Sequence, residues 1–266
     1  MKYGFLGTGN MSGAIIRGLA KTGSAKIYGY DPSEDALTRL AADCGMIPCK
    51  SAEELIAMAD VLVLGVKPNV LPAVLAAQSR NILERAPLVV SIAAGKTVAF
   101  IEGCLPGLPV IRVMPNINAK VLSATSAYCT NGLCGEKEER IAEDMLSAVG
   151  SIRKLGEPEL DIFSALASAS IAYTYLYIDA LAEAALKAGM PKKKALEIAA
   201  DSVLGSARMV LAGGEHPRQL IDQVCSPAGT TIEGLLALQE RGFETAVTKA
   251  IEAVLEKNKK IGEDGK

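Results

Sequence analysis

Near the end of the chain runs Cys225-Ser226-Pro227-Ala228-Gly229-Thr230-Thr231-Ile232-Glu233-Gly234-Leu235. Pro227 fixes one backbone angle and Gly229 permits a close backbone turn. A helix is expected to begin at Thr230, with Leu235, Leu236 and Leu238 supplying its apolar face. Such a turn aims unpaired backbone N–H groups beyond the helix N-terminus, where the helix dipole favours an anion. With two threonine hydroxyls beside them, Ser226, Gly229, Thr230 and Thr231 read as a cradle for a small carboxylate. The same spacing also suits an ordinary N-cap and turn.

A second chemistry-bearing stretch opens the chain: Gly7-Thr8-Gly9-Asn10-Met11-Ser12-Gly13. Gly7 allows a tight turn, Gly9 lets a pyrophosphate approach, and the helix that follows receives its charge. Ser12 stands where a third glycine is common. A Gly-x-Gly pair alone is weak evidence. Here it follows an apolar strand at Lys2–Leu6, opens a helix, and precedes a second strand at 25–30 that ends in Asp31, the place for a group that reads an adenosine ribose. A dinucleotide site is expected.

The elements that would position these residues alternate. After the second strand, a helix at 33–43 leads to a short strand at 46–49 and a helix at 52–58. An apolar strand at 61–66 ends in Lys67-Pro68, and a helix follows at 70–78. A strand at 88–92 ends in Ala93-Ala94-Gly95, a short helix follows at 97–101, and a strand at 110–114 ends in Pro115-Asn116. Edge strands are expected at 124–130 and 151–155, with a helix at 137–149 between them. This alternation predicts a parallel, doubly wound α/β sheet, whose ligands sit at the carboxyl ends of the strands. Lys67 falls at such an end, and reads equally well as a solvated loop lysine. After 156–158 no strand pattern remains: helices are expected at 160–188, 192–212, 217–224, 230–239 and 243–261, with 262–266 frayed. The expected division is therefore 1–157, a Rossmann-like dinucleotide-binding domain, and 158–266, an all-α domain.

The 266 residues suffice for one large domain or two modest ones, and a net charge of −2 argues against electrostatic binding of nucleic acid. The chain starts directly on a strand pattern, so no signal peptide is expected and the cytoplasm is the expected compartment. Six cysteines without a CxxC pair, and a single histidine, speak for free thiols and against a metal site. Cys225, beside the cradle, reads as a packed thiol more readily than a reactive one. Residues 162–178 carry no charge, but the run falls short of the ~20 residues a membrane span needs and contains three serines, a threonine and three tyrosines. A helix buried between two subunits explains it better.

Taken together, the chain resembles pyrroline-5-carboxylate reductases over its whole length. The resemblance is carried by Gly7-Thr8-Gly9-Asn10-Met11, Val66-Lys67-Pro68, Ser91-Ile92-Ala93-Ala94-Gly95, Val113-Met114-Pro115-Asn116 and, most specifically, Asp222 through Ile232. It implies reduction of Δ1-pyrroline-5-carboxylate to L-proline, the last step of proline biosynthesis, with NADPH or NADH. It also implies a helical domain that interlocks with a second subunit, and a homodimer or a ring of dimers. By motif position, the signature loop would bind the substrate carboxylate, and the Thr231 hydroxyl would meet the ring nitrogen. Gly7, Gly9, Asn10, Met11, Asp31, Ser33, Val66, Lys67, Pro68, Ala93, Ala94, Gly95, Pro115 and Asn116 would line the cofactor. Two segments depart from the family pattern. Ile117-Asn118 replaces Thr-Pro, and Ala167-Ser168-Ala169-Ser170-Ile171-Ala172-Tyr173 replaces Ser-Gly-Ser-Gly-Pro-Ala-Tyr.

No histidine or carboxylate in these motifs is an obvious acid, so the proton arrives with the iminium or through Thr231 and water. A carboxylate at Asp31 accepts bonds from both ribose hydroxyls of NADH and repels a 2′-phosphate, while Ser33 or Arg39 is placed to hold that phosphate. Both cofactors are expected to work. Rival readings are a reductase of another cyclic imine, a β-hydroxyacid dehydrogenase, and a catalytically silent nucleotide-binding oligomer. The second relies on a lysine early in the long helix, and none occurs from 160 to 186.

Overall fold

The computed structural model describes residues 1–264, with side chains to residue 260. It divides into two compact units, 1–168 with 258–264, and 169–257.

The first unit carries β1 (Lys2–Leu6), α1 (Asn10–Lys21), β2 (Lys26–Tyr30), α2 (Glu34–Cys44), β3 (Ile47–Pro48), α3 (Ala52–Met58), β4 (Val61–Leu64), α4 (Leu71–Arg85), β5 (Leu88–Ser91), α5 (Val98–Cys104), β6 (Val110–Met114), β7 (Ala124–Thr130), α6 (Glu136–Ser147), β8 (Gly150–Lys154) and α7 (Glu159–Phe163). The strands form one sheet in the order β3-β2-β1-β4-β5-β6-β7-β8. Successive strand residues face opposite sides, so Tyr3, Phe5, Val61 and Val63 join one apolar core and Leu6, Leu62 and Leu64 the other. All four residues of β4 are buried, as expected of a strand covered by helices on both faces. Side chains of this size each stabilise the fold by roughly 1.5–3 kcal/mol when fully buried.

The sheet is not wholly parallel. β6 and β7 run antiparallel, and β7 is paired on both sides, to β6 and to β8, so it is not an edge strand. Only a 3-10 turn, Ile117–Val121, joins β6 to β7. That connection is too short for the crossover a parallel strand needs, so the chain must return antiparallel.

Chain order reverses between β1 and β4, which both start from the sheet centre and run parallel. In such sheets the crevice beyond the strand ends at this point is where a ligand sits. The connector to α7 is fastened by Glu157, whose Oε1 accepts from the Val98 N–H and from the buried Arg112 guanidinium, both at 2.8 Å.

The expected helix at 160–188 is continuous in its winding but irregular. After α7, Ser164–Ala169 winds as a π-turn before α8 (Ser170–Lys187) begins. The Asn116 amide donates to the Ala167 carbonyl at 2.8 Å, so a group from the sheet inserts into the helical ladder at the irregular turn.

The second unit is built from α8, α9 (Lys192–Gly213), α10 (Pro217–Val224), α11 (Thr230–Glu240) and most of α12 (Phe243–Asp264). Residues 262–264, expected to fray, continue α12, and the last two residues lie outside those described. α8 and α9 meet through small side chains; Ala182, Ala195 and Ala199 are its buried residues. Lys192 spans the pair, with its ammonium at 2.6 Å from Asp179 and 3.2 Å from Glu183. The Tyr173 hydroxyl reaches the Ala250 carbonyl and ties α8 to α12. Around this thin core much apolar surface is uncovered: Leu176 is 69% and Leu211 83% exposed. No helix among the described residues is long and apolar enough to cross a membrane.

Candidate active site

The glycine loop joins β1 to α1. Gly7 has φ of +96°, and its N–H donates to the Tyr30 carbonyl at 2.8 Å. Asp31 braces the loop from the end of β2: one carboxylate oxygen accepts the Thr8 N–H at 2.8 Å, the other the Ser33 N–H at 2.9 Å. Gly9 is the N-cap of α1, and no side chain caps that helix. The first N–H groups of α1 are therefore left for a ligand. A Cβ on Gly9 would meet no protein atom within 4 Å, so the space beside it is open for a ligand to approach. The Thr8 hydroxyl is buried at the turn and has no partner among the described residues. These features fit the pyrophosphate of a dinucleotide. Ser12, in the place of a third glycine, packs where a Cβ on Gly65 would stand. The small residue needed for close helix–strand approach has moved to β4's end.

Gly7, Gly9, Asn10, Met11, Asp31 and Ser33 thus gather around one loop. Val66, Lys67 and Pro68 follow β4; Lys67 is exposed and forms no ion pair among the described residues. Ala94 and Gly95 are exposed beyond β5, whereas Ala93 is buried in the core. Its side chain serves packing rather than a ligand. Pro115 and Asn116 are buried beyond β6. Asn116 is already engaged, its oxygen by the Asn118 N–H at 3.2 Å and its amide by Ala167. It shapes this end of the sheet more than it presents a free amide.

In the second unit, Ser226 and Gly229 close a turn, with the Gly229 N–H donating to the Ser226 carbonyl at 3.0 Å. That N–H is therefore not free to hold an anion. Gly229 is the N-cap of α11, and no side chain caps this helix either. The open N–H groups are those of its first turn, from Thr230 and Thr231 onward. The left-handed residue is Ala228, with φ of +56°, not Gly229, at −81°. Pro227 then Ala228 occupy the two central places of a turn that wants glycine second. A Cβ on Gly229 would displace the rotatable Ser226 hydroxyl and stand 3.0 Å from the Ser226 carbonyl oxygen, so glycine eases the close turn. Since the left-handed region costs a non-glycine residue about 1–2 kcal/mol, partly offset by glycine's greater freedom when unfolded, Ala228→Gly is expected to raise Tm by about 1–4 °C. A lowered Tm in a thermal melt would show that Ala228 carries no strain.

His216 is structural: its Nδ1 accepts the Arg218 N–H at 3.2 Å and starts α10. No group of three or more potential metal ligands occurs among the described residues. The cysteines are unpaired, and burial pushes the thiols of Cys49, Cys129 and Cys134 up to about 11, leaving them protonated at neutral pH. A further feature is a set of cations along one side of the glycine loop. Of these the sequence singled out Arg39 alone; Arg17 and Lys21, one helical turn apart on α1, were the available signal.

Comparison with known proteins bears on both halves. Residues 157–261 match the family model for pyrroline-5-carboxylate reductase dimerisation, and residues 2–95 the model for coenzyme F420-dependent NADP oxidoreductases. The pyrroline-5-carboxylate reductase of Escherichia coli is 37% identical, covering 98% of each chain. The solved structure of the Coxiella burnetii pyrroline-5-carboxylate reductase superimposes with a TM-score of 0.91 at 30% identity, over 98% of this chain and 97% of that one. The Plasmodium falciparum pyrroline carboxylate reductase, solved with NADP bound, gives 0.86 at 29% identity over 98% of each chain. With both units matched at near full length, and with the glycine loop and the open α11 turn in place, this chain belongs to the pyrroline-5-carboxylate reductase family.

Proposed function

We infer that this protein reduces Δ1-pyrroline-5-carboxylate to L-proline with NADPH or NADH. The observation that carries the reading is the 37% identity with the Escherichia coli enzyme across both units. The cofactor, when bound, supplies the hydride. The protein has to hold the imine, orient it and exclude water. At α11, the N–H groups of Thr230 and Thr231 and the helix dipole favour the substrate carboxylate. The Thr231 hydroxyl, exposed in the same first turn, would meet the ring nitrogen and fix the direction of the C=N bond. Asp31 and the α1 N-terminus would hold the nucleotide at the other unit.

The uncovered apolar surface of α8 and α9 supports assembly through the helical unit, as a homodimer or a ring of dimers. The unpaired thiols and the lack of a membrane-spanning helix among the described residues support a cytoplasmic place.

The test is oxidation of NADPH and NADH by the purified protein with pyrroline-5-carboxylate, beside a panel of other cyclic imines and 3-hydroxyacids. Preference for pyrroline-5-carboxylate supports the reading. Turnover of a different imine alone would move the substrate, and the departures at 117–118 and 167–173 would be the first residues to exchange.

A further inference from the structure

Beside the glycine loop lies an open cleft of about 470 Å³. Thr8, Gly9 and Asn10 form its loop side, and four cations reach it: Arg17 and Lys21 from α1, Arg39 from α2, and Lys120 from the 3-10 turn after β6. No acidic side chain lines it. A concave surface that is shared with a nucleotide loop and lined by one sign of charge concentrates a phosphate.

The cations are not equivalent. Arg17 is spent on the fold: its guanidinium pairs with Asp43 at 2.8 Å and reaches the Gly13 carbonyl at 3.3 Å. Arg39 makes a single contact among the described residues, from Nε to the Asp35 carbonyl at 3.1 Å. That bond turns the side chain back toward the start of α2 and leaves both terminal nitrogens open. A planar fork of free N–H donors matches a phosphate better than an ammonium does. The start of α2 is also where a dinucleotide in this fold places its adenosine ribose, past the end of β2. Ser33, next to it, is exposed. Three carboxylates oppose a phosphate here. Glu34 and Asp35 occupy the exposed first turn of α2, and Asp31 is engaged at both oxygens by backbone N–H groups.

Resting on the reading of the protein as an NAD(P)H-dependent reductase, we propose that this cleft receives the 2′-phosphate of NADPH and that Arg39 is the residue that selects it. Arg39 acts on cofactor choice and touches neither imine nor nicotinamide. Lys21 and Lys120 add attraction without a directed bond.

The experiment compares the full-length protein with Arg39→Gln. The ratio of kcat/KM for NADPH over that for NADH is expected to fall roughly ten- to a hundredfold, the scale of a lost hydrogen bond to a charged group. Adenosine 2′,5′-bisphosphate, titrated without imine, is expected to bind the unaltered protein more tightly than adenosine 5′-monophosphate, and to lose that advantage in Arg39→Gln. An unchanged ratio, or equal losses with both cofactors, would overturn the assignment. If no imine is reduced by the unaltered protein, the proposed reaction fails. The binding pair still decides the cleft: a 2′-phosphate advantage that depends on Arg39 sustains the proposal, and its absence ends it. Arg39 is exposed, so the variant is expected to fold, and an unchanged Tm checks this.

Discussion

Thr231→Ala is expected to lower kcat/KM for pyrroline-5-carboxylate by roughly ten- to a thousandfold, the scale of losing one hydrogen bond made to the reacting centre. The residue lies in the uncapped first turn of α11, with its side chain exposed. Truncation therefore removes a hydroxyl without opening a cavity, and Tm should hardly move. The backbone N–H groups proposed to hold the carboxylate survive the change, so the loss should fall mainly on kcat. Thr231→Ser keeps the hydroxyl and should recover most of the rate. Dissociation constants for NADPH and NADH, measured by fluorescence without imine, should match those of the unaltered protein. Equal activity in Thr231→Ala would remove this hydroxyl from the mechanism.

Much of this arrangement could be read from the sequence because the signals were local. Lys2–Leu6 is a strand, Asn10 opens a helix, and Asp31 ends the second strand, each following from a short run of residues. Val110–Met114, Ala124–Thr130 and Pro217–Val224 have the bounds that the apolar pattern and the turn residues implied. Strand direction was not legible. Period-2 alternation is the same for parallel and antiparallel neighbours, and β7 turns back because the preceding connection, residues 115–123, holds only a five-residue 3-10 turn and is too short for a crossover.

Two further features escaped because they depend on tertiary contacts. The π-turn at Ser164–Ala169 lies in an unbroken uncharged run, and its irregularity shows only once the Asn116 amide meets the Ala167 carbonyl from 51 positions away. α4 continues to Arg85, beyond the expected end at 78, because Ile82 is fully buried against the sheet and carries the polar residues between. The cradle was legible as a motif but not in its division of labour. Gly229 drew the conformational role by its type, while Ala228 holds the left-handed angle and the Gly229 N–H is spent inside the turn. The basic cleft combines residues from α1, α2 and the turn after β6, a grouping no spacing rule brings together.

Gly7→Ala and Gly9→Ala are expected to fail in different ways, although both lie in the same loop. A Cβ on Gly7 would stand 2.7 Å from the Val66 nitrogen and 2.8 Å from the Gly65 carbonyl carbon, both backbone atoms of the segment leaving β4. Neither can move without disturbing the pairing of β1 with β4 at the sheet centre. The positive φ of Gly7 adds strain of its own. Left-handed strain and a backbone clash together should cost about 2–4 kcal/mol, which lowers Tm by about 4–16 °C and takes nucleotide binding with it. Gly9 is different. Its φ of −64° suits alanine, and no protein atom lies within 4 Å of the added methyl. The methyl would project instead into the space left open beside α1. Gly9→Ala should therefore melt within about 2 °C of the unaltered protein and weaken NADPH and NADH alike, by roughly tenfold or more, since each lost 1.4 kcal/mol is a factor of ten. Thermal melts and fluorescence titrations of the two variants read this contrast directly. Tight nucleotide binding by Gly9→Ala would mean that the pyrophosphate does not approach this loop, and normal stability of Gly7→Ala would mean that the turn is not held against β4.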